Sequence, residues 1–187
     1  MGLKASAESR YRVGLLLVGI SYISLGLVPL YGGHHFLSGG LQWWKLLLLL
    51  STLLLGGVGM LILRQGLMFA GLVETSKGAT LCAAGLLVMV PAITLVYMYL
   101  VGYGAATLFY GLFIMAAGAV TWLGGHLQIG FALLGLSRTD PGLQRLGAIW
   151  LLGTPIPPVV GAAAILLSLH GLPRGEEPFK GQDRLGG

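Results

Sequence analysis

Thr154-Pro155-Ile156-Pro157-Pro158 stands in the middle of an apolar run that is otherwise long enough to cross a bilayer. Three prolines remove three amide donors and push against the preceding turn, so a helix must kink or stop there. The freed carbonyls need other donors, because lipid supplies none. Broken helices within the membrane build ion and substrate sites in transporters. A kink without any ligand is the commoner outcome. Thr154, Pro155, Pro157 and Pro158 are therefore the candidate helix break, and the chemistry they suggest is solute binding by backbone carbonyls and hydroxyls.

The partners such a site usually has are missing. Ionisable residues inside a membrane segment are functional candidates by default, yet no Asp, Glu or Lys lies deep in any apolar run. Arg64 is near one end of its run and can reach the interface. A coupled mechanism would have to use hydroxyls such as Ser51, Thr52, Thr94, Thr107 and Thr121. The histidines do not suggest a haem, which needs two axial ligands at matching depth. His126 and His170 follow the ends of two different runs and would lie on opposite sides of the membrane, and His34 and His35 are adjacent in a loop. Glu74 and Asp140 sit in short polar turns beside Lys77 and Arg138, as solvated turn charges do. The chain contains no H-E-x-x-H, G-x-S-x-G, P-loop or C-x-x-C motif. No catalytic, cofactor-binding or metal residue is assigned, and the expectation is a protein that is not an enzyme and carries no cofactor.

Glycine spacing is the most ordered pattern. Gly104, Gly111, Gly118 and Gly125 recur every seven residues, as do Gly71, Gly78 and Gly85, and Gly19 and Gly26. Seven residues is close to two helical turns, so each set lines one side of its helix. Small residues on one stripe let helices approach closely in lipid. Packing within the bundle is the plainer reading of the stripe, and a homo-oligomer seam the sharper one.

These residues must be positioned by membrane helices. Only 9% of the residues are charged and 56% are hydrophobic, against about 25% charged in soluble domains. There is too little polar surface to cover a water-soluble globule. From Gly78 to Ser137 no residue is charged, which is room for two crossings of about 20 residues. Five spans are expected, at about 13–31, 46–63, 79–101, 105–125 and 146–169, in an all-α integral membrane bundle over residues 1–172. The second and fourth runs continue past their polar interruptions, so those helices should extend beyond the hydrocarbon edge. A mobile polar tail is expected over 173–187, which is rich in Gly, Pro and charge. Shifting the chain by 64 positions pairs Gly66 with Gly130, Gly71 with Gly135 and Pro91 with Pro155. Helices 4–5 would then be a parallel copy of helices 2–3, unless the agreement is chance in a Leu- and Gly-rich text.

The net charge of +5 is spread over the ends of apolar runs, which speaks for orientation in the bilayer and against nucleic-acid binding. Lys4, Arg10, Arg12, Arg64, Lys77, Arg138 and Arg145 fall on one side and Lys45 on the other. The expectation is a cytoplasmic N-terminus and, after five spans, an outside C-terminus. Tyr31, Trp43, Trp44, Tyr99, Tyr103 and Tyr110 cluster near the predicted outer face, as an interfacial belt does. The one cysteine, Cys82, excludes an intrachain disulfide.

The last third carries a resemblance. Phe131-Ala132-Leu133-Leu134-Gly135-Leu136, a short polar turn, Leu146-Gly147-Ala148-Ile149, a proline-bearing middle and Leu169-His170-Gly171-Leu172 together resemble an uncharacterised family of archaeal multi-pass membrane proteins, domain of unknown function 973. The similarity extends from about Ser9 to Leu172. It implies an archaeal plasma membrane and no assigned activity, so it supplies no site residues. The function expected from the sequence is an accessory or structural membrane protein, acting through a homo-oligomer or a membrane-complex partner. The second expectation is a small-solute transporter or channel subunit that uses the proline-broken fifth helix.

Overall fold

A computed structural model describes residues 2–32, 43–136 and 141–171. The described residues form six helices and no strand: α1 (Gly2–Gly32), α2 (Trp43–Phe69), α3 (Val73–Leu100), α4 (Ala105–Leu136), α5 (Pro141–Gly153) and α6 (Pro157–His170). Four segments, Ala5–Leu27, Trp43–Phe69, Val73–Leu100 and Ala105–Gly135, are long and apolar enough to cross a membrane. They suggest a membrane-spanning protein. The expected tail at 173–187, His34, His35, Arg138 and Asp140 lie outside the described residues.

The long helices are joined by turns that the sequence encodes. α2 ends on Gly71 at φ +78°, where Leu72 N donates to Leu67 O at 2.9 Å and Gly71 N to Met68 O at 3.0 Å. α3 ends on Gly102 at φ +102°, with Tyr103 N on Met98 O at 3.0 Å. A left-handed residue after the last turn, with a six-to-one bond across it, is the closure that glycine permits without a Cβ penalty. Each turn reverses the chain, so α2, α3 and α4 alternate in direction.

Side-chain contacts fix the register. Arg10 Nη1 donates to Gln65 Oε1 at 2.7 Å, and Gln128 Nε2 to Glu74 Oε2 at 3.4 Å. The start of α1, the end of α2, the start of α3 and the last part of α4 therefore share one end, which we call the basic end. At the other end the Trp43 and Tyr97 rings are 4.7 Å apart. There Trp43, Trp44, Tyr99, Tyr103 and Tyr110 are exposed, and Tyr31 lies in a part of α1 whose side chains are not described.

α5 and α6 do not form a single crossing, which corrects the expected fifth span at 146–169. The helix stops at Gly153 and resumes at Pro157 in a new direction. α5 climbs along α4 from the basic end: a Cβ on Gly147 would meet Leu133 at 3.1 Å, and further up Gly130 faces Leu151. α6 returns along α1. Pro158 packs on Gly26, a Cβ on Gly161 would sit 2.8 Å from Gly19 O, and one on Gly171 would sit 3.7 Å from Arg12 Nη2. The two helices have 13 and 14 residues, or roughly 20 Å each at 1.5 Å per residue. Neither matches a hydrocarbon core of about 30 Å. They make a hairpin that starts and ends at the basic end. Total apolar length hid this, because a window over 146–169 sees enough hydrophobic residues and not the reversal between them.

Two further expectations change with the hairpin. Gly171 comes back to the end where α1 begins, whereas the five expected crossings would bring the chain out at the other end. The parallel repeat also fails at its aligned prolines. Pro91 lies inside the unbroken α3, whereas Pro155 lies in the break between α5 and α6.

The helices pack as a closed ring in the order α1, α2, α3, α4, α5, α6 and back to α1, and no other pair of them touches along its backbone. The interior is filled by Tyr11, Leu15, Val18, Tyr22, Met60, Leu86, Trp150 and Leu167, among others. No Asp, Glu, Lys or Arg is buried among the described residues.

Candidate functional site

Inside the ring α1, α4 and α5 each contribute to a buried aromatic and polar cluster. Trp122 and His126 are four residues apart, so they lie on one face of α4, with ring centroids 4.7 Å apart. Tyr22 reaches them from α1. Trp122 Nε1 donates to Tyr22 Oη at 2.8 Å, and Tyr22 Oη lies 2.7 Å from His126 Nε2. Trp150 covers the other side of His126 from α5, with centroids 5.3 Å apart and the planes inclined by 34°. Tyr22, His126 and Trp150 are each 0% exposed.

The break holds Trp150 in place. With proline at 155 and 157, the carbonyls of the last turn of α5 cannot all find amide partners one turn ahead. Thr154 N turns to Leu151 O at 3.2 Å, and the Thr154 hydroxyl donates to Trp150 O at 3.0 Å in place of an amide. Thr154 is buried and Pro155 exposed between the helices, while Pro157 and Pro158 open α6. Proline at the first two helical positions leaves no amide hydrogens there. The next two amides, Val159 N and Val160 N, both point back to Ile156 O, at 2.9 and 3.4 Å. The N-terminus of α6 thus offers a ligand no free donor in its first turn. Any donor must come from side chains.

Among the described residues four buried side-chain polar atoms lack partners. His126 Nδ1 and Trp150 Nε1 have no hydrogen bond among the described residues, and neither do the hydroxyls of Tyr11 and Tyr97. Buried polar atoms are almost always paired, and leaving one unpaired costs about 1–3 kcal/mol. His126 and Trp150 hold two of these four atoms on adjoining rings.

The hydroxyls singled out from the sequence are used locally. Ser51 donates to Leu47 O at 2.7 Å, Thr52 to Leu48 O at 2.7 Å and Thr94 to Val90 O at 3.0 Å. Thr107 donates to Gly104 O and Thr121 to Ala117 O, both at 2.8 Å. Glu74 pairs with Lys77 at 2.7 Å on the exposed face. None of these joins the cluster. Of the glycine stripe, Gly111, Gly118 and Gly125 face α3, where a Cβ would lie 3.0 Å from Ala92 O, Gly85 O 3.0 Å away and Gly78 O 2.6 Å away, respectively; nothing is within 4 Å of Gly104.

Sequence reasoning passed over Tyr22, Trp122 and Trp150 and set His126 aside. Tyr22, Trp122 and Trp150 fit no metal- or haem-ligand pattern, and with His126 they form an aromatic hydrogen-bond relay. Two local signals were available: Trp122 and His126 at a four-residue spacing on an uncharged helix, and Trp150 one turn before Thr154 and the prolines. No protein-family model, no curated protein and no solved structure matches this chain.

Proposed function

We propose that this chain is a membrane-embedded channel or carrier subunit for a small solute. The observation that carries this reading is the hairpin of α5 and α6, which starts and ends at the basic end and sets Trp150 against the buried relay of Tyr22, Trp122 and His126. Short helices that enter and leave on one side are tolerated in lipid only where they are packed in protein or line a polar cavity. Such helices are a common way to build a substrate site. In this reading α1 to α4 cross the membrane and the hairpin is re-entrant. The basic end is cytoplasmic by the positive-inside rule, in a plasma membrane. The resemblance to the archaeal family fits that placement. The glycine stripe acts within the subunit, clamping α4 to α3.

The test is flux. The purified protein, reconstituted in liposomes, should speed the entry of small polar solutes. Replacing Pro155, Pro157 and Pro158 with Leu should abolish that entry. Undiminished transport by the triple variant would separate solute movement from the hairpin and sink the reading.

One observation favours a second reading, an accessory subunit that binds a membrane partner or another copy of itself. α4 leaves a long face uncovered, with Phe109 and Phe113 70% exposed, Val120 71% and Phe131 63%. Crosslinking from a photoreactive residue at Val120 in native membranes should then trap a discrete protein adduct. Adducts with lipid alone would exclude it.

A further inference from the structure

We infer that His126 and Trp150 form a paired-donor site for an oxygen atom of a small uncharged molecule, inside the ring and beneath the hairpin turn. This deepens the proposed function and rests on it. The direction of the relay decides what the site offers. Trp122 is a donor only, so Tyr22 Oη accepts its N–H at 2.8 Å. If Tyr22 then donates its own hydrogen to His126 Nε2 at 2.7 Å, the imidazole proton resides on Nδ1. The unmet atoms of the cluster are then two N–H donors, His126 Nδ1 and Trp150 Nε1. With the opposite direction three atoms go unmet: the Tyr22 hydroxyl hydrogen, the Nδ1 lone pair and the Trp150 N–H. Each extra unmet atom is destabilising in a water-free interior, so the first arrangement is the one the fold selects.

Two donors and no acceptor define the ligand. A cation finds no oxygen in the pair and no buried carboxylate nearby, because no Asp or Glu is buried among the described residues. An anion finds no counter-charge, because no buried Lys or Arg is present among them either, and an unpaired buried charge is the most expensive occupant. An uncharged oxygen, from water or from the carbonyl of a small amide, accepts both hydrogens and leaves nothing unpaired. Water and a carbonyl compound share this chemistry, and they are separated by measurement.

The experiment uses the full chain in liposomes and stopped-flow light scattering, with water, urea and potassium ions as probes. Water entry, urea entry or both should exceed that of protein-free liposomes severalfold, with no added potassium leak. Trp150→Phe keeps the ring and removes the donor, and should return the flux to the protein-free level. His126→Leu should do the same, while His126→Gln, which keeps an amide N–H, should retain part of it. Each variant is scored only after it elutes from size exclusion as the wild type does. Acceleration of urea identifies a carbonyl acceptor, and acceleration of water alone identifies water. Flux that persists in Trp150→Phe and His126→Leu overturns this inference and leaves the channel reading standing. A potassium leak abolished by the same variants overturns the uncharged ligand. No flux of any probe overturns the proposed function, and this inference with it.

Discussion

Gly171 lies against Arg12: a Cβ built on the glycine would sit 3.7 Å from Arg12 Nη2, and 3.8 Å from Glu8 Oε1. Arg12 and Glu8 are themselves paired at 2.6 Å, so the end of α6 is set beside the charged first turns of α1. The proposed topology, four crossings and a re-entrant hairpin, gives this geometry. The prediction concerns sidedness. In a Cys82→Ala background, single cysteines at Ser9 and His170, both exposed, should react with a membrane-impermeant maleimide from the same face of the membrane. Reaction from opposite faces would restore the five-span topology and remove the hairpin.

The sequence made the lipid environment and the four long helices legible, because apolar length and scarce charge are additive properties that a window can sum. The break near Gly102 falls between two expected spans, whereas Gly71, expected on a helical glycine stripe, closes the turn after α2. The hairpin was not legible, since its direction depends on what α6 packs against, and Gly19 and Gly26 on α1 are what it meets. The cluster was hidden for a related reason. Tyr22 and His126 are 104 positions apart, and no periodicity within one helix records which residue faces which across a ring. The proline run follows Thr154, while the unpaired buried ring nitrogens lie one turn earlier, at Trp150, and on another helix, at His126.

Tyr22 ties α1 to α4 through one oxygen. Tyr22→Phe removes the acceptor for Trp122 Nε1 and the partner of His126 Nε2, leaving both buried or half-buried groups unmet while the ring still fills its space. The expected loss is about 1–3 kcal/mol of stability, read as a lower midpoint for thermal unfolding in detergent. Ser51→Ala is the comparison. Its hydroxyl bonds its own helix at an exposed position, and its removal should change stability by less than about 0.5 kcal/mol. Equal midpoints for Tyr22→Phe and the wild type would show that the relay bears no part of the stability.

The seam between α3 and α4 depends on missing side chains. A Cβ on Gly85 would lie 2.5 Å from Trp122 N and 2.6 Å from Gly118 O, both backbone atoms. Backbone cannot swing aside as a side chain can, so Gly85→Ala must push the helices apart. A net cost of about 1–3 kcal/mol is expected from overpacking, and Trp122 should shift away from Tyr22 with a visible change in fluorescence. Gly104→Ala meets nothing within 4 Å and should be neutral within about 0.5 kcal/mol. If the two variants unfold at the same temperature, the close approach of these helices is not what holds them together.

Thr154 links the proline break to the site. Its hydroxyl satisfies Trp150 O at 3.0 Å, because Thr154 N, the amide one turn ahead of that carbonyl, turns instead to Leu151 O, which Pro155 leaves without a donor. Thr154→Val keeps the shape and deletes the hydroxyl, so a buried carbonyl is left unmet at a cost of about 1–3 kcal/mol. The last turn of α5 should loosen, and Trp150, which sits on that turn, should lose its fixed position against His126. Thr154→Ser retains the hydroxyl and should recover most of the stability. The readout is paired: thermal midpoint for the bond, and solute flux in liposomes for the placement of Trp150. A Val variant that loses stability but transports as the wild type does would place the solute route away from Trp150, whereas a joint loss rescued by Ser ties the break to the site through this one hydrogen bond.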